Sequence, residues 1–122
     1  MIITLLLIGD VLLAFLTETN YNDVNMSQKM VVSMGEIRKR LVFHGRVQGV
    51  GFRYRAKHLA SSLGLTGWVR NEYDGTVQME VQGSKPMIYK LMEGLSRGMY
   101  ITIDWIDDKE IPVVKESSFH VR

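Results

Sequence analysis

From residue 34 onward the order of apolar and polar positions switches between two periodicities. Arg38–His44 repeats every second residue, with Leu41 and Phe43 on one side and Arg40, Val42 and His44 on the other. That is the pattern of a strand with one buried face. A glycine-punctuated run follows, Gly45 through Gly51. Phe52–Leu63 then takes helical spacing: Phe52, Ala56, Leu59, Ala60 and Leu63 share one stripe, and Gly64 marks the stop. Leu65–Asn71 predicts a second strand, Asn71–Gly75 a turn of hairpin length, and Thr76–Gln82 a return strand with Val77, Met79 and Val81 inward. Ser84 as N-cap and Pro86 in the first turn open a second helix, whose stripe is Ile88, Leu91, Met92 and Leu95 and whose end is Gly98. Ile101–Trp105 alternates as a fourth strand, and Phe119–Arg122 reads as a short fifth.

The order β-α-β-β-α-β predicts an α+β fold, a ferredoxin-like α/β sandwich: an antiparallel sheet of four to five strands with two helices on one face. Residues 34–122 carry no internal repeat, low-complexity tract or linker, so they are read as one domain.

Residues 1–33 break from this pattern. Met1–Ile8 and Val11–Leu16 are apolar, but Gly9-Asp10 interrupts them, and a bilayer span needs about 20 apolar residues in a row. A secretory signal wants a basic start and a small-x-small cleavage site. Here the first basic residue is Lys29, and Ala14-Phe15-Leu16-Thr17 cleaves poorly on that rule. Thr17–Gln28 is polar and loop-like, and Met26, Met30 and Met34 are each an available start. The extension is therefore expected to be an upstream start or a poorly ordered tail. The alternatives are a cleaved export signal and a helix that docks on the domain or on a membrane.

Charge sharpens the division. Of 15 basic and 13 acidic side chains, residues 1–33 hold one and three, a net of −2, which leaves +4 for residues 34–122. The overall +2 in 122 residues is too mild to mark a nucleic-acid binder. Cysteine is absent, which excludes disulfides, thiolate metal sites and thiol nucleophiles and suits a reducing, cytoplasmic setting.

The candidate chemistry lies in Gly45-Arg46-Val47-Gln48-Gly49-Val50-Gly51-Phe52-Arg53. Gly49 and Gly51 permit positive φ, so such a turn can aim several backbone N–H groups into one hollow. The helix beginning near Phe52 adds its unpaired amides and the positive end of its dipole. Arg53 in its first turn can bring a planar fork over the same hollow, and the ligand this predicts is a tetrahedral anion. A glycine loop before a helix is also compatible with a purely steric connection. The run matches neither G-x-x-x-x-G-K-[ST] nor G-x-G-x-x-G.

The run nevertheless resembles the acylphosphatase signature, G-x-V-Q-G-V-x-F-R, at every defined position. A second segment of that family follows, Gly67-Trp68-Val69-Arg70-Asn71 and then Asp74-Gly75-Thr76-Val77. The resemblance spans residues 36 to 122. It implies hydrolysis of the carboxyl–phosphate bond of acyl phosphates, with Arg53 as the phosphate-binding arginine and Asn71 as the residue that positions the attacking water. The backbone amides of Arg46, Val47, Gln48, Gly49 and Val50 would form the phosphate cradle. It further implies no metal, no cofactor and no covalent intermediate, with inorganic phosphate as product and inhibitor. The expected partner is a small-molecule acyl phosphate, not a nucleic acid or membrane, and the expected state is a monomer.

Other residues are read more plainly. His44, His58 and His120 match no metal spacing, and His44 is expected to face solvent at a strand end. Trp68 is expected in core or rim packing, Arg38-Lys39-Arg40 as a solvated strand start, and Met87, Met92 and Met99 as core filling. Two other functions compete with the enzyme. One is a non-catalytic module that binds phosphate or carbamoyl phosphate, like the acylphosphatase-like domains that open larger carbamoyl-transferring proteins. The other is an RNA-binding domain, whose aromatic strand pattern is missing here.

Overall fold

The structure is a computed structural model that describes residues 3–8, 11–16 and 35–122, with side chains from residue 35 onward. The two apolar runs near the start, β1 (Ile3–Ile8) and β2 (Val11–Leu16), pair as an antiparallel ribbon in which Ile3 opposes Leu16 and Ile8 opposes Val11. Neither is helical. The start-site and tail expectations for residues 17–33 lie outside the described residues.

The domain follows in the order β3 (Glu36–Arg46), α1 (Phe52–Ser62), β4 (Thr66–Asn71), β5 (Val77–Ser84), α2 (Lys85–Ser96), β6 (Thr102–Ile111) and β7 (Phe119–Val121). Its five strands form one sheet in the spatial order β6-β3-β5-β4-β7. Within the sheet, β3 is antiparallel to both β5 and β6, and β4 is antiparallel to β5. The expected fifth strand exists, but it runs parallel to β4, with Gly67 opposite Phe119 and Val69 opposite Val121. The sheet is therefore mixed and not wholly antiparallel. Residues 112–118 form the crossover that brings the chain from β6 at one edge of the sheet to β7 at the other.

One face of the sheet packs on both helices. Leu41, Phe43, Val69, Val77, Met79 and Val81 are fully buried there against Ala56 and Ala60 of α1 and Ile88, Leu91 and Leu95 of α2. Each of the larger side chains contributes about 1.5–3 kcal/mol by leaving water. Phe43 and Phe52 meet edge to face, with ring centroids 4.9 Å apart. They stand at either end of the glycine run, so core packing fixes both ends of the loop. Ser84 occupies the N-cap position of α2, as expected, but its side chain makes no capping hydrogen bond.

The crossover changes the reading of the opposite face. Arg38 and Lys39 are 3% and 9% exposed, not solvated as the sequence pattern suggests. Arg38 donates to Glu80 at 3.0 Å, Gln82 at 3.2 Å and Glu116 at 2.8 Å. Gln82 in turn clasps Val114 through both halves of its amide, donating to the carbonyl at 2.7 Å and accepting from the N–H at 2.9 Å. Lys39 lies on the helix-facing side and pairs with Asp108 at 2.9 Å. Met99 is exposed and takes no part in the core.

Candidate active site

The loop that leaves β3 keeps its donors free. Arg46 is still a rung of the ladder, opposite Thr102. The N–H groups of Val47, Gln48, Gly49 and Val50 donate to no acceptor among the described residues. Val47 is buried and Val50 half-buried against the core, so these side chains anchor the turn. Gly49 and Gly51 take φ of 73° and 76°, a region where a Cβ is strained. Gly51 is the residue before α1. No side chain caps that helix, and its first turn holds no carboxylate, so its leading amides and the positive dipole end face the same region.

Arg53 lies in that first turn, exposed, and its Nη1 donates to the main-chain oxygen of Arg122 at 3.2 Å. Arg122 is itself tied to β4, because its N–H donates to the Val69 carbonyl at 2.8 Å. The arginine fork is thereby directed towards the end of β4, where Asn71 is the last residue. Asn71 is exposed, opposite Val77 of β5, and its side-chain amide has no partner among the described residues. Val77 also opposes Phe43 of β3, so Asn71 stands two strand spacings, about 10 Å, from the strand that feeds the loop.

A residue whose side chain the sequence reading overlooked joins the two parts. Gln48 Nε2 donates to the carbonyls of Glu72 at 2.7 Å and Thr76 at 2.8 Å. The loop is thus clamped to the turn that follows Asn71. That turn is stiff in its own right. Asp74 accepts from the Thr76 hydroxyl at 2.6 Å and the Thr76 N–H at 3.0 Å, and Glu72 N–H donates to Thr76 at 2.9 Å. The Thr76 hydroxyl, followed by its N–H, holds the Asp74 carboxyl below the usual carboxylate range. Arg53, Asn71 and the free amides therefore gather at one end of the sheet.

A family model of acylphosphatases matches residues 39–121. The chain belongs to the acylphosphatase family. An acylphosphatase from Picrophilus torridus is 43% identical over 82 residues, which cover 66% of this chain and 96% of the relative. The structure of an acylphosphatase from Coxiella burnetii superposes with a TM-score of 0.69 at 34% identity, covering 75% of this chain and 97% of that one. HypF of T. kodakarensis matches with a TM-score of 0.63 at 29% identity over 70% of this chain, but that is only 12% of HypF. Relatives matched over nearly their whole length carry the acylphosphatase name, and the chain is a hydrolase of that family with its ferredoxin-like fold. The reading as a carbamoyl-phosphate-binding module is not favoured.

The remaining sequence expectations divide. Trp68 is buried as expected, with the guanidinium groups of Arg70 and Arg122 lying 5.0 and 4.6 Å from its ring centre. His58 is exposed and leans on Tyr54. His44 does not simply face solvent: it stacks on Trp105 at 4.2 Å and contacts Asp107 at 2.7 Å.

Proposed function

We propose that Arg53 and the main-chain amides of Arg46, Val47, Gln48, Gly49 and Val50 bind the phosphoryl group of an acyl phosphate while Asn71 orients the attacking water. The reading is carried by the Gln48 clamp, which holds a loop of unpaired donors against the turn beside Asn71.

A mixed anhydride asks little of a protein. The departing carboxylate is a weak base and leaves without protonation. Phosphoryl transfer passes through a loose, charge-spread transition state, so positioning and electrostatics supply most of the rate. Of the five N–H donors of Arg53, one is used on Arg122, which leaves the others for phosphoryl oxygens. The amides take the remaining oxygens. Asn71 is no base, but its amide oxygen can accept from a water and hold it in line with the leaving group. The water oxygen bonds to phosphorus as the bond to the acyl oxygen breaks, and its proton passes to a non-bridging oxygen of the phosphate product.

The proposal includes a monomer that acts in the cytoplasm on a small-molecule acyl phosphate, without a metal or cofactor, and is inhibited competitively by inorganic phosphate. Asn71→Ala tests the division of labour. Its kcat on benzoyl phosphate should fall about 100-fold, while the inhibition constant for inorganic phosphate stays unchanged. A large loss of phosphate affinity would instead place Asn71 among the ligands of the anion.

A further inference from the structure

We infer that a second anion site lies in the cavity between the C-terminal half of α1, the start of β4 and β7, and that it takes a carboxylate or phosphate group carried on a small hydroxylated body. The cavity measures about 510 Å³. That is far more than the roughly 30 Å³ share of a water and within the roughly 300–1,000 Å³ of small-molecule sites. Its chemistry is one-sided. Lys57 contributes a cation, and no Asp or Glu belongs to the lining. That ammonium makes no ion pair or hydrogen bond among the described residues, so its charge is not neutralised in place.

The rest of the wall offers hydroxyls. Ser61, Ser117 and Ser118 line the cavity, and Ser118 Oγ lies 2.9 Å from His120 Nε2. Thr66 also belongs to the lining. The C-terminal end of α1 would ordinarily repel an anion. Here three carbonyls of its last turn are occupied: Ser61 accepts from Gly64 N–H at 3.2 Å, Ala60 from Leu65 N–H at 2.9 Å and Leu59 from Ser62 Oγ at 2.8 Å.

This cavity is distinct from the loop of free amides. Lys57 and Ser61 lie four and eight residues beyond Arg53 on the same side of α1, about 6 and 12 Å along its axis. β7 runs beside them, with Arg122 bonded to Arg53 at its far end and His120 at the cavity. The two sites thus share a helix face and a strand without sharing a ligating group.

Amide NMR titration separates them, with glycerol phosphate as the phosphate-headed probe and gluconate as the carboxylate-headed one. With at least one probe, the amides of Ser61, Gly64, Thr66, Ser118 and His120 should shift saturably in the wild type and equally in Arg53→Ala; the probe that saturates them names the head group. Lys57 is exposed in mid-helix, so Lys57→Gln should keep the native spectrum while weakening this binding roughly tenfold, one charge-assisted contact, and Lys57→Arg should restore it. Three results would overturn the site: no saturable shift with either probe, shifts that disappear in Arg53→Ala, or equal affinity in Lys57→Gln.

Discussion

Arg53 is held by a single hydrogen bond to Arg122 and keeps most of its fork free, whereas Gln48 spends both amide protons inside the protein. The two roles were unequally visible in the chain. Arg53 follows a glycine loop at the start of a helix, so its chemistry can be read locally. The Gln48 side chain acts on carbonyls 24 and 28 residues away, and a carbonyl leaves no mark on a sequence. Its importance can be tested by an isosteric change. Gln48→Glu replaces the donor with a carboxylate that faces two carbonyl oxygens at neutral pH, so attraction becomes repulsion. The variant should lose about 1–3 kcal/mol of stability and bind inorganic phosphate more weakly, read by denaturant melts and by product inhibition. Phosphate affinity equal to the wild type would show that the clamp does not position the loop.

At the scale of elements, both helices and the first three strands of the domain follow from apolar periodicity, to within two residues at most ends. The larger errors have physical causes. β6 continues to Ile111, well past Trp105, because Asp107, Asp108, Lys109 and Glu110 carry no apolar alternation. They are tolerated on an edge strand, where charges discourage further pairing, and Asp107 and Asp108 find partners in His44 and Lys39. The parallel direction of β7 depends on a crossover that local pattern cannot show. The turn between β4 and β5 was legible as a turn, and its stiffness has a pH signature. Asp74 has a lowered carboxyl pKa because of the Thr76 hydroxyl and N–H. Its contribution to stability is therefore complete above the unfolded carboxylate value of about 3.9 and is lost as pH falls through the lower folded value. Asp74→Asn should melt below the wild type at neutral pH, and the gap should narrow as pH falls below the unfolded carboxylate value of about 3.9. A gap that stays constant with pH would remove the ionised carboxylate from the account.

Across the whole molecule, the crossover links the two edges of the sheet and buries charge beneath it. Burial pushes the Glu80 carboxyl up, but hydrogen bonds from Arg38 and Arg40 outweigh that, and the net displacement is downward. Glu80→Gln should cost about 2 kcal/mol at neutral pH, the loss shrinking as acid protonates the wild-type carboxylate. Equal denaturation midpoints at neutral pH would show that Arg38 is satisfied by Gln82 and Glu116 alone. This network also fixes the route of the chain into β7, hence the place of Arg122 and the direction of the Arg53 fork. The most direct measurement is the release of inorganic phosphate from benzoyl phosphate by the wild type and by Arg53→Ala under the same conditions. The wild type should turn over and Arg53→Ala should lose at least about 100-fold; equal rates in the two proteins would contradict the phosphate-binding role of Arg53.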